Sequence, residues 1–364
     1  MIRAALRKHF PAGAESGAFT LDLEFQAEAG VTVLFGPSGS GKTLTLDSIA
    51  GFVRPDSGRI ELGGELLFDS ERKVNLPPRR RHCGYVFQNY ALFPHMTVRK
   101  NLEFAAHGHP KAMRGRKVAG MLDRFRLNDV AGRRPFEISG GQQQRASIAR
   151  ALIGEPRLLL LDEPARGLDA PLRAELYEVL RQVRGEFETP ILLVTHDLDE
   201  CFELGGTVLI MYEGRIVQRG RPRDILDRPA TVDVARLLGR FNILEAVVLE
   251  PVTPAGLSRL RAGGHEIDGP SCEGRRAGDL VSIYCRPELL RALPDGRHPG
   301  ANQIPAELER VSESPSAIRL EFHGGITVEA PRASFDRSRD NGKWIVEFPA
   351  GCIGIFEGDR DEEL

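Results

Sequence analysis

Val31-Thr-Val-Leu-Phe35 runs directly into Gly36-Pro-Ser-Gly-Ser-Gly41-Lys42-Thr43, and this junction decides how the rest of the chain is read. A short continuous apolar run predicts a strand buried on both faces, and the residues from about Lys42 to Ala50 predict a helix. The loop between them matches G-x-x-x-x-G-K-[ST]. Gly36, Gly39 and Gly41 let backbone N–H groups wrap a polyphosphate without obstruction by a Cβ, with Pro37, Ser38 and Ser40 completing the cradle. The helix N-terminus adds partial positive charge. Lys42 is then placed to reach the β- and γ-phosphates, and Thr43 to ligate Mg²⁺.

Working outward, Leu158–Leu161 and Ile191–Thr195 read as two more buried strands, and Pro171–Phe187 between them as an amphipathic helix. The pattern is that of a parallel α/β sheet covered on both faces. Residues 53–87 read as glycine-punctuated short strands of an antiparallel edge sheet, and 98–156 as a helical subdomain inserted into the sheet. The pattern changes near 227–240. Beyond it, Leu244–Leu249, Leu280–Ile283, Ala317–Phe322 and Trp344–Phe348 are short β-type runs broken by Gly and Pro. Residues 1–240 are accordingly expected as a nucleotide-binding domain and 241–364 as a small all-β domain.

Leu158-Leu-Leu-Leu-Asp162-Glu163-Pro164 delivers two carboxylates to the C-terminal edge of the sheet, where open α/β sheets bind their ligands. Taken alone, this is equally a solvated acidic turn; a phosphate loop in the same sheet decides for a site. Asp162 is expected to hold Mg²⁺ and Glu163 to act as general base on the attacking water. Ile138-Ser139-Gly140-Gly141-Gln142 has the form of a helix start, offering hydroxyl and backbone donors to an anion.

In this order the motifs resemble the ATPase subunits of ABC transporters, over roughly residues 20–230. Gly36–Thr43 resembles the Walker A loop, Leu158–Glu163 the Walker B strand, and Ser139–Gln142 the family signature, here preceded by Ile138 instead of Leu. The resemblance implies further roles. Gln88 would contact Mg²⁺ and sense a membrane subunit, His196 would contact the γ-phosphate, and Asp169 would close the D-loop. It implies ATP and Mg²⁺ as cofactors and a head-to-tail pairing with a second copy, because the signature completes the opposing subunit's site. Two features depart from the importer pattern: Arg166-Gly167 replaces a small Ser-Ala pair, and Gly205-Gly206-Thr207 replaces the usual Ala-Asp-Arg. Phe10 and Phe19 both compete to stack on adenine. The expected fold is thus an α/β P-loop NTPase of the ABC ATPase type with an inserted helical subdomain, plus a C-terminal OB-like small β-barrel.

Composition narrows the partners. Lys and Arg number 49 against 51 Asp and Glu, which offers no bulk case for nucleic acid. Arg79–Arg81 is a short basic run that reads as a solvated or ion-pairing face. The five cysteines contain no C-x-x-C pair, arguing against a zinc ribbon or disulfide scaffold. Residues 1–10 lack the apolar core of a signal peptide, and no apolar run approaches the roughly 18–20 residues of a membrane span. The expectation is a peripheral protein on the cytoplasmic face of the membrane, docked on transmembrane permease subunits and served indirectly by a periplasmic or extracellular solute-binding protein. Residues 68–98 are most similar to importers of molybdate or sulfate, with ferric iron, polyamine or sugar importers as alternatives. The stretch Tyr90–Val98 falls where the family couples to its permease. A soluble non-transport ABC ATPase is the alternative of another class. The C-terminal Arg286-Pro287-Glu288 is also found in other importers, and Arg286 is read as an interdomain salt-bridge residue.

Overall fold

The fold comes from a computed structural model that describes residues 1–13, 17–186, 189–294, 300–314, 317–332, 343–349 and 351–356. By compactness it forms two units, Met1–Ile225 and Leu226–Leu364.

The strands of the first unit are β1 (Ile2–Phe10), β2 (Phe19–Ala27), β3 (Val31–Phe35), β4 (Ser57–Leu62), β5 (Glu65–Asp69), β6 (Val74–Asn75), β7 (Cys83–Val86), β8 (Leu158–Asp162), β9 (Ile191–Thr195), β10 (Thr207–Tyr212) and β11 (Arg215–Gly220). Its helices are α1 (Lys42–Ala50), α2 (Val98–Ala105), α3 (Lys111–Arg124), α4 (Gly140–Leu152), α5 (Ala170–Glu186), α6 (Leu198–Leu204) and α7 (Pro222–Asp227), the last running into the second unit. One sheet has the order β11-β10-β3-β9-β8-β7; the strands from β10 to β7 are parallel and β11 is antiparallel to β10. The other has the order β2-β1-β4-β5-β6 and is antiparallel throughout.

The apolar runs explain the layering. All five residues of β3, of β8 and of β9 are buried, as a sheet covered on both faces requires. β1 and β2 instead alternate, and Ile2, Leu6, Leu21 and Phe25 point inward. These residues share one core with Leu46 and Ile49 of α1 and with Leu34, Leu160, Leu192 and Leu209 of the parallel sheet. Helix α1 is therefore clamped between two sheets. At roughly 1.5–3 kcal/mol for each buried leucine or isoleucine, this core fixes the helix that follows the phosphate loop.

The expected edge sheet is present but bounded differently. It is led by β1 and β2, and β7 leaves it to pair in parallel with β8. Residues 98–156 are mostly helical, as expected. Helix α5 begins at Ala170, and the expected end at Phe187 lies outside the described residues.

The basic run Arg79–Arg81 is the clearest correction. Arg79 and Arg80 are exposed, but Arg81 is only 1% exposed. Its guanidinium donates to the carbonyls of Ser48 (2.7 Å), Ile49 (2.8 Å) and Leu76 (2.8 Å) and to Asn75 Oδ1 (2.8 Å). It thus caps the C-terminal end of α1, where a cation is favoured. Gly51, at φ 89°, ends the helix against it, and a Cβ there would sit 2.6 Å from Arg81 Nε. The sequence could not separate Arg81 from its neighbours, because only the fold brings α1 above it.

The second unit contains α8 (Val232–Leu238) and strands β12 (Asn242–Glu250), β13 (Leu257–Ala262), β14 (His265–Pro270), β15 (Leu280–Cys285), β16 (Arg291–Pro294), β17 (Gln303–Glu313), β18 (Ala317–Phe322), β19 (Thr327–Pro331), β20 (Lys343–Glu347) and β21 (Gly354–Ile355). They form two five-stranded antiparallel sheets, β14-β13-β12-β15-β21 and β16-β20-β17-β18-β19. Val248, Leu260 and Ile283 from the first pack with Leu320, Val328 and Val346 from the second in one core. Asn242 ties the two together, exchanging hydrogen bonds with the Thr327 backbone at 2.7 and 2.8 Å.

Arg81→Met keeps an unbranched side chain of similar length but leaves the buried carbonyls of Ser48 and Ile49 unpaired. Its unfolding free energy should fall by about 2–4 kcal/mol, read as a lower denaturant midpoint, whereas Arg79→Met should leave it within about 0.5 kcal/mol.

Candidate functional site

Strands β3, β8 and β9 end side by side, so the residues that follow them are forced to meet. After β3 comes Gly36, where a Cβ would collide with the Met211 carbonyl and stand 2.9 Å from Ser40 Oγ. Gly39 and Gly41 take φ of 84° and 98°, conformations that favour glycine. Gly41 also opens α1, where a Cβ would press on Leu21 and Phe19. Because Gly41 provides no side-chain cap, the first-turn N–H groups of α1 have no such acceptor and face the loop as an anion site. Ser40 Oγ is buried with no hydrogen-bond partner, a polar atom that a bound phosphate would satisfy.

Lys42 Nζ reaches back over the loop to the carbonyls of Gly36 (2.9 Å) and Pro37 (2.8 Å). Burial holds its ammonium below the usual lysine value, while Glu163 and Asp162 pull the other way. Thr43 Oγ1 donates to Asp162 Oδ1 at 3.1 Å, bridging the start of α1 and the end of β8. Burial raises the Asp162 carboxyl, opposed chiefly by that hydrogen bond. A hydroxyl and a buried carboxylate converging beside a phosphate cradle form an oxygen donor set that fits a hard divalent cation.

Glu163 follows Asp162 at φ 46°, a left-handed conformation uncommon in a residue with a side chain. Its backbone N–H is fixed by the Val194 carbonyl at 2.9 Å. Its Oε1 lies 3.2 Å from His196 Nδ1, and its Oε2 accepts from Arg166 Nη1 at 2.8 Å. Arg173 pairs with Asp197 at 2.9 Å, and Asp197 caps α6 through the Asp199 N–H. Glu163, Arg166, Arg173, His196 and Asp197 line a cleft of about 150 Å³ together with Glu200.

Gln88 and the signature lie on other elements. With the Gln88 amide turned so that its oxygen faces the guanidinium, that oxygen accepts from Arg166. Ser139 caps α4: its Oγ accepts from the Gln142 N–H (3.3 Å), and Gln142 Oε1 accepts from the Ser139 N–H (3.0 Å). A Cβ on Gly141 would press on Leu172, and one on Gly140 would touch Tyr90 and Leu168. Among the described residues no hydrogen bond joins Ser139–Gln142 to Gly36–Thr43. Asp169 caps α5, accepting from the Leu172 N–H at 3.0 Å. Of the two candidate aromatics, Phe19 packs on Gly41 and the core, while Phe10, its cross-strand partner, is 38% exposed under Lys8 Nζ.

Three contributions escape sequence reading: the Arg166 bridge, the Arg173–Asp197 pair and Glu200. Arg166 was visible only as a departure from a family pattern. Glu200 looks like any acidic residue on a helix, yet it is 2% exposed with Oε1 unpartnered, and burial pushes its carboxyl up to about 7. The Arg286 ion pairs, to Asp227 (3.1 Å) and Glu288 (3.5 Å), both fall inside the second unit. Arg286 also lines a cavity of about 1030 Å³ there with Arg228, Arg275, Cys272 and Cys352.

Glu200 sets a pH dependence. The folded chain holds its proton up to about pH 7 while the unfolded chain releases it near the ordinary carboxylate value, so stability is lost as pH rises through that window. Glu200→Gln should therefore gain about 1–3 kcal/mol over wild type at pH 8 and little at pH 4.5, measured by denaturant unfolding at both.

Comparison with known proteins agrees with this geometry. The profile of the ABC transporter family matches residues 20–166. The Rhizobium etli molybdenum import ATP-binding protein ModC is 43% identical over 76% of this chain and 80% of its own length. The Pyrococcus horikoshii molybdate/tungstate import ATP-binding protein WtpC is 36% identical over 89% of this chain and 91% of its own. Among solved structures, the dimeric ATP-binding cassette MJ0796, in a post-hydrolysis state with ADP and Pi, superposes with a TM-score of 0.53 at 25% identity, covering 61% of this chain and 99% of that one. This chain belongs to the ABC transporter family, among its ATP-binding proteins.

Proposed function

We propose that the chain is the ATPase of an oxyanion importer, hydrolysing ATP at the edge formed by β3, β8 and β9. The observation that carries this reading is the convergence there of the loop Gly36–Thr43, the Thr43–Asp162 contact and the Glu163–His196 contact.

In this reading Gly36, Pro37, Ser38, Gly39, Ser40 and Gly41 cradle the phosphates. Lys42 exchanges its two carbonyl acceptors for the β- and γ-phosphate oxygens. Phe10, exposed at the end of β1, stacks on adenine in preference to Phe19, whose ring is committed to Gly41 and the core. Thr43, Asp162 and Gln88 are the residues that would hold Mg²⁺, which when bound neutralises charge developing on the phosphates. Glu163 accepts a proton from the attacking water, and His196 holds the γ-phosphate and orients Glu163. Water oxygen bonds to the γ-phosphorus as the bridging β–γ oxygen leaves, giving ADP and phosphate.

In this proposal Met1–Ile225 form the nucleotide-binding domain, with 98–156 as its helical subdomain, and Leu226–Leu364 form an accessory domain, a boundary earlier than the one expected at 240. Ser139–Gln142 and Asp169 serve the site of a second copy, which gives a head-to-tail dimer with two ATP sites. The dimeric state of the MJ0796 cassette supports this arrangement. Permease subunits are the membrane partners, contacted near Tyr90–Val98 on the cytoplasmic face, with a solute-binding protein acting from the far side. No helix among the described residues is long and apolar enough to cross a membrane. The names of the relatives at 36–43% identity support molybdate or tungstate as cargo.

Two measurements test the reading. Turnover of ATP by the purified chain should fall by about 10²–10⁴-fold in Glu163→Gln with ATP binding retained, and Phe10→Ala should raise KM for ATP about tenfold with kcat little changed. Turnover that survives Glu163→Gln would remove the assigned base. Cells carrying Lys42→Ala, grown on limiting molybdate, tungstate, sulfate and iron, should lose molybdenum or tungsten selectively. Loss of iron instead would replace the cargo and leave the ATPase in place.

A further inference from the structure

Arg166 stands between two groups that hydrolysis needs. Its Nη1 donates to Glu163 Oε2 at 2.8 Å and, with the Gln88 amide turned so that its oxygen faces the guanidinium, both Nε (3.2 Å) and Nη1 donate to that oxygen. The Glu163 side chain is 13% exposed and that of Arg166 57%, so the carboxylate is held inward while the guanidinium reaches it from the solvent side. His196 holds the other carboxylate oxygen, so the Arg166 contact fixes how the remaining one is presented.

The Gln88 side of this bridge is itself anchored. Tyr90 and Ala91 take φ of 59° and 48°, strained conformations that persist only where the surroundings impose them. The surroundings are α4: Ser147 Oγ donates to the Tyr90 carbonyl (2.7 Å), and Arg150 donates to the Ala91 carbonyl (2.7 Å). Arg150 also stacks over Phe93, 5.3 Å from its ring centroid. A continuous physical path therefore runs from α4 through the loop 87–91 to Gln88, across Arg166, and onto the Glu163 carboxylate. Gly167, at φ 74°, follows Arg166 and gives the segment a backbone that need not carry a side chain through a move.

We propose that Arg166 is a positioning residue that latches Glu163 to the Gln88 loop, restraining ATP turnover until that loop shifts. This rests on the assignment of Glu163 as the base. While latched, one carboxylate oxygen is committed to the guanidinium, and the incoming water competes with a cation for it. Displacing the 87–91 loop withdraws the Gln88 contact, leaves Arg166 free to follow, and releases the oxygen to accept the water's proton. The device links a segment expected to face the permease with the chemistry two elements away.

The test is steady-state ATP turnover by the purified full chain of wild type, Arg166→Gln, Arg166→Lys, Gln88→Ala, Glu163→Gln and the Arg166→Gln/Gln88→Ala double variant. Arg166→Gln should raise kcat about three- to tenfold with KM for ATP within about twofold, since Arg166 touches none of Gly36–Thr43. Arg166→Lys, which keeps a cation, should restore turnover to within about twofold of wild type. In the Gln88→Ala background, whose own turnover falls with the loss of a residue placed at Mg²⁺, the Arg166→Gln substitution should change the remaining kcat by less than about twofold, because Arg166 no longer has an anchor on the loop. An unchanged or lower kcat in Arg166→Gln, or the same increase with and without Gln88, would overturn the latch. Wild-type turnover that persists in Glu163→Gln would instead locate the failure in the assignment of the base.

Discussion

The phosphate loop depends on how α1 is held. A polyphosphate is held by backbone N–H groups, and these converge only if the helix behind them is rigid and its first turn is left uncapped. Here α1 is locked on both faces by the two sheets, its C-terminal carbonyls are closed by the buried Arg81, and its N-terminus begins at an uncapped Gly41. The two ends are treated oppositely. Arg81 satisfies the acceptors at one end, and at the other Gly41 offers no side-chain cap, so the first-turn donors remain available to a ligand.

The same rigidity organises the carboxylates. Parallel pairing of β8 with β9, and of β9 with β3, sets Asp162 and the residues after Phe35 and Thr195 at one sheet edge. Asp162 stays in regular strand geometry and bridges to Thr43, whereas Glu163 turns into a left-handed conformation. That turn separates two adjacent acidic residues into different jobs, one facing the loop and one facing His196 and Arg166. Strain at Glu163 is held by the Val194 carbonyl and by the side-chain contacts on both carboxylate oxygens.

Much of this was legible in the sequence, and the reasons for success and failure are physical. Val31–Phe35, Lys42–Ala50, Ile191–Thr195 and Ala317–Phe322 fall on observed elements to the residue: two continuous apolar runs, a helix stopped by Gly51, and an alternating run that buries Ile318, Leu320 and Phe322. That Thr43 and Asp162 lie together was expected from a phosphate loop and an acidic strand end in the same sheet. What the sequence hid was identity set by tertiary position. Arg81 reads like Arg79 and Arg80 until α1 is laid across it. Glu200 reads as a surface acid until α6 turns it inward. β7 reads as part of an edge sheet until it is seen beside β8. That Phe19 packs toward Gly41 while Phe10 stays exposed was likewise not readable from the sequence.

A single cassette carries a complete phosphate cradle and, on a separate helix, a capped glycine pair that no hydrogen bond connects to that cradle among the described residues. The direct test of whether that helix start serves a second copy is sedimentation velocity of the Glu163→Gln chain, with and without ATP and Mg²⁺, alongside the same chain carrying Ser139→Arg. An ATP-dependent shift from monomer to dimer that Ser139→Arg abolishes is the expected result. A chain that binds ATP yet stays monomeric, or a dimer indifferent to Ser139, would contradict a shared nucleotide site.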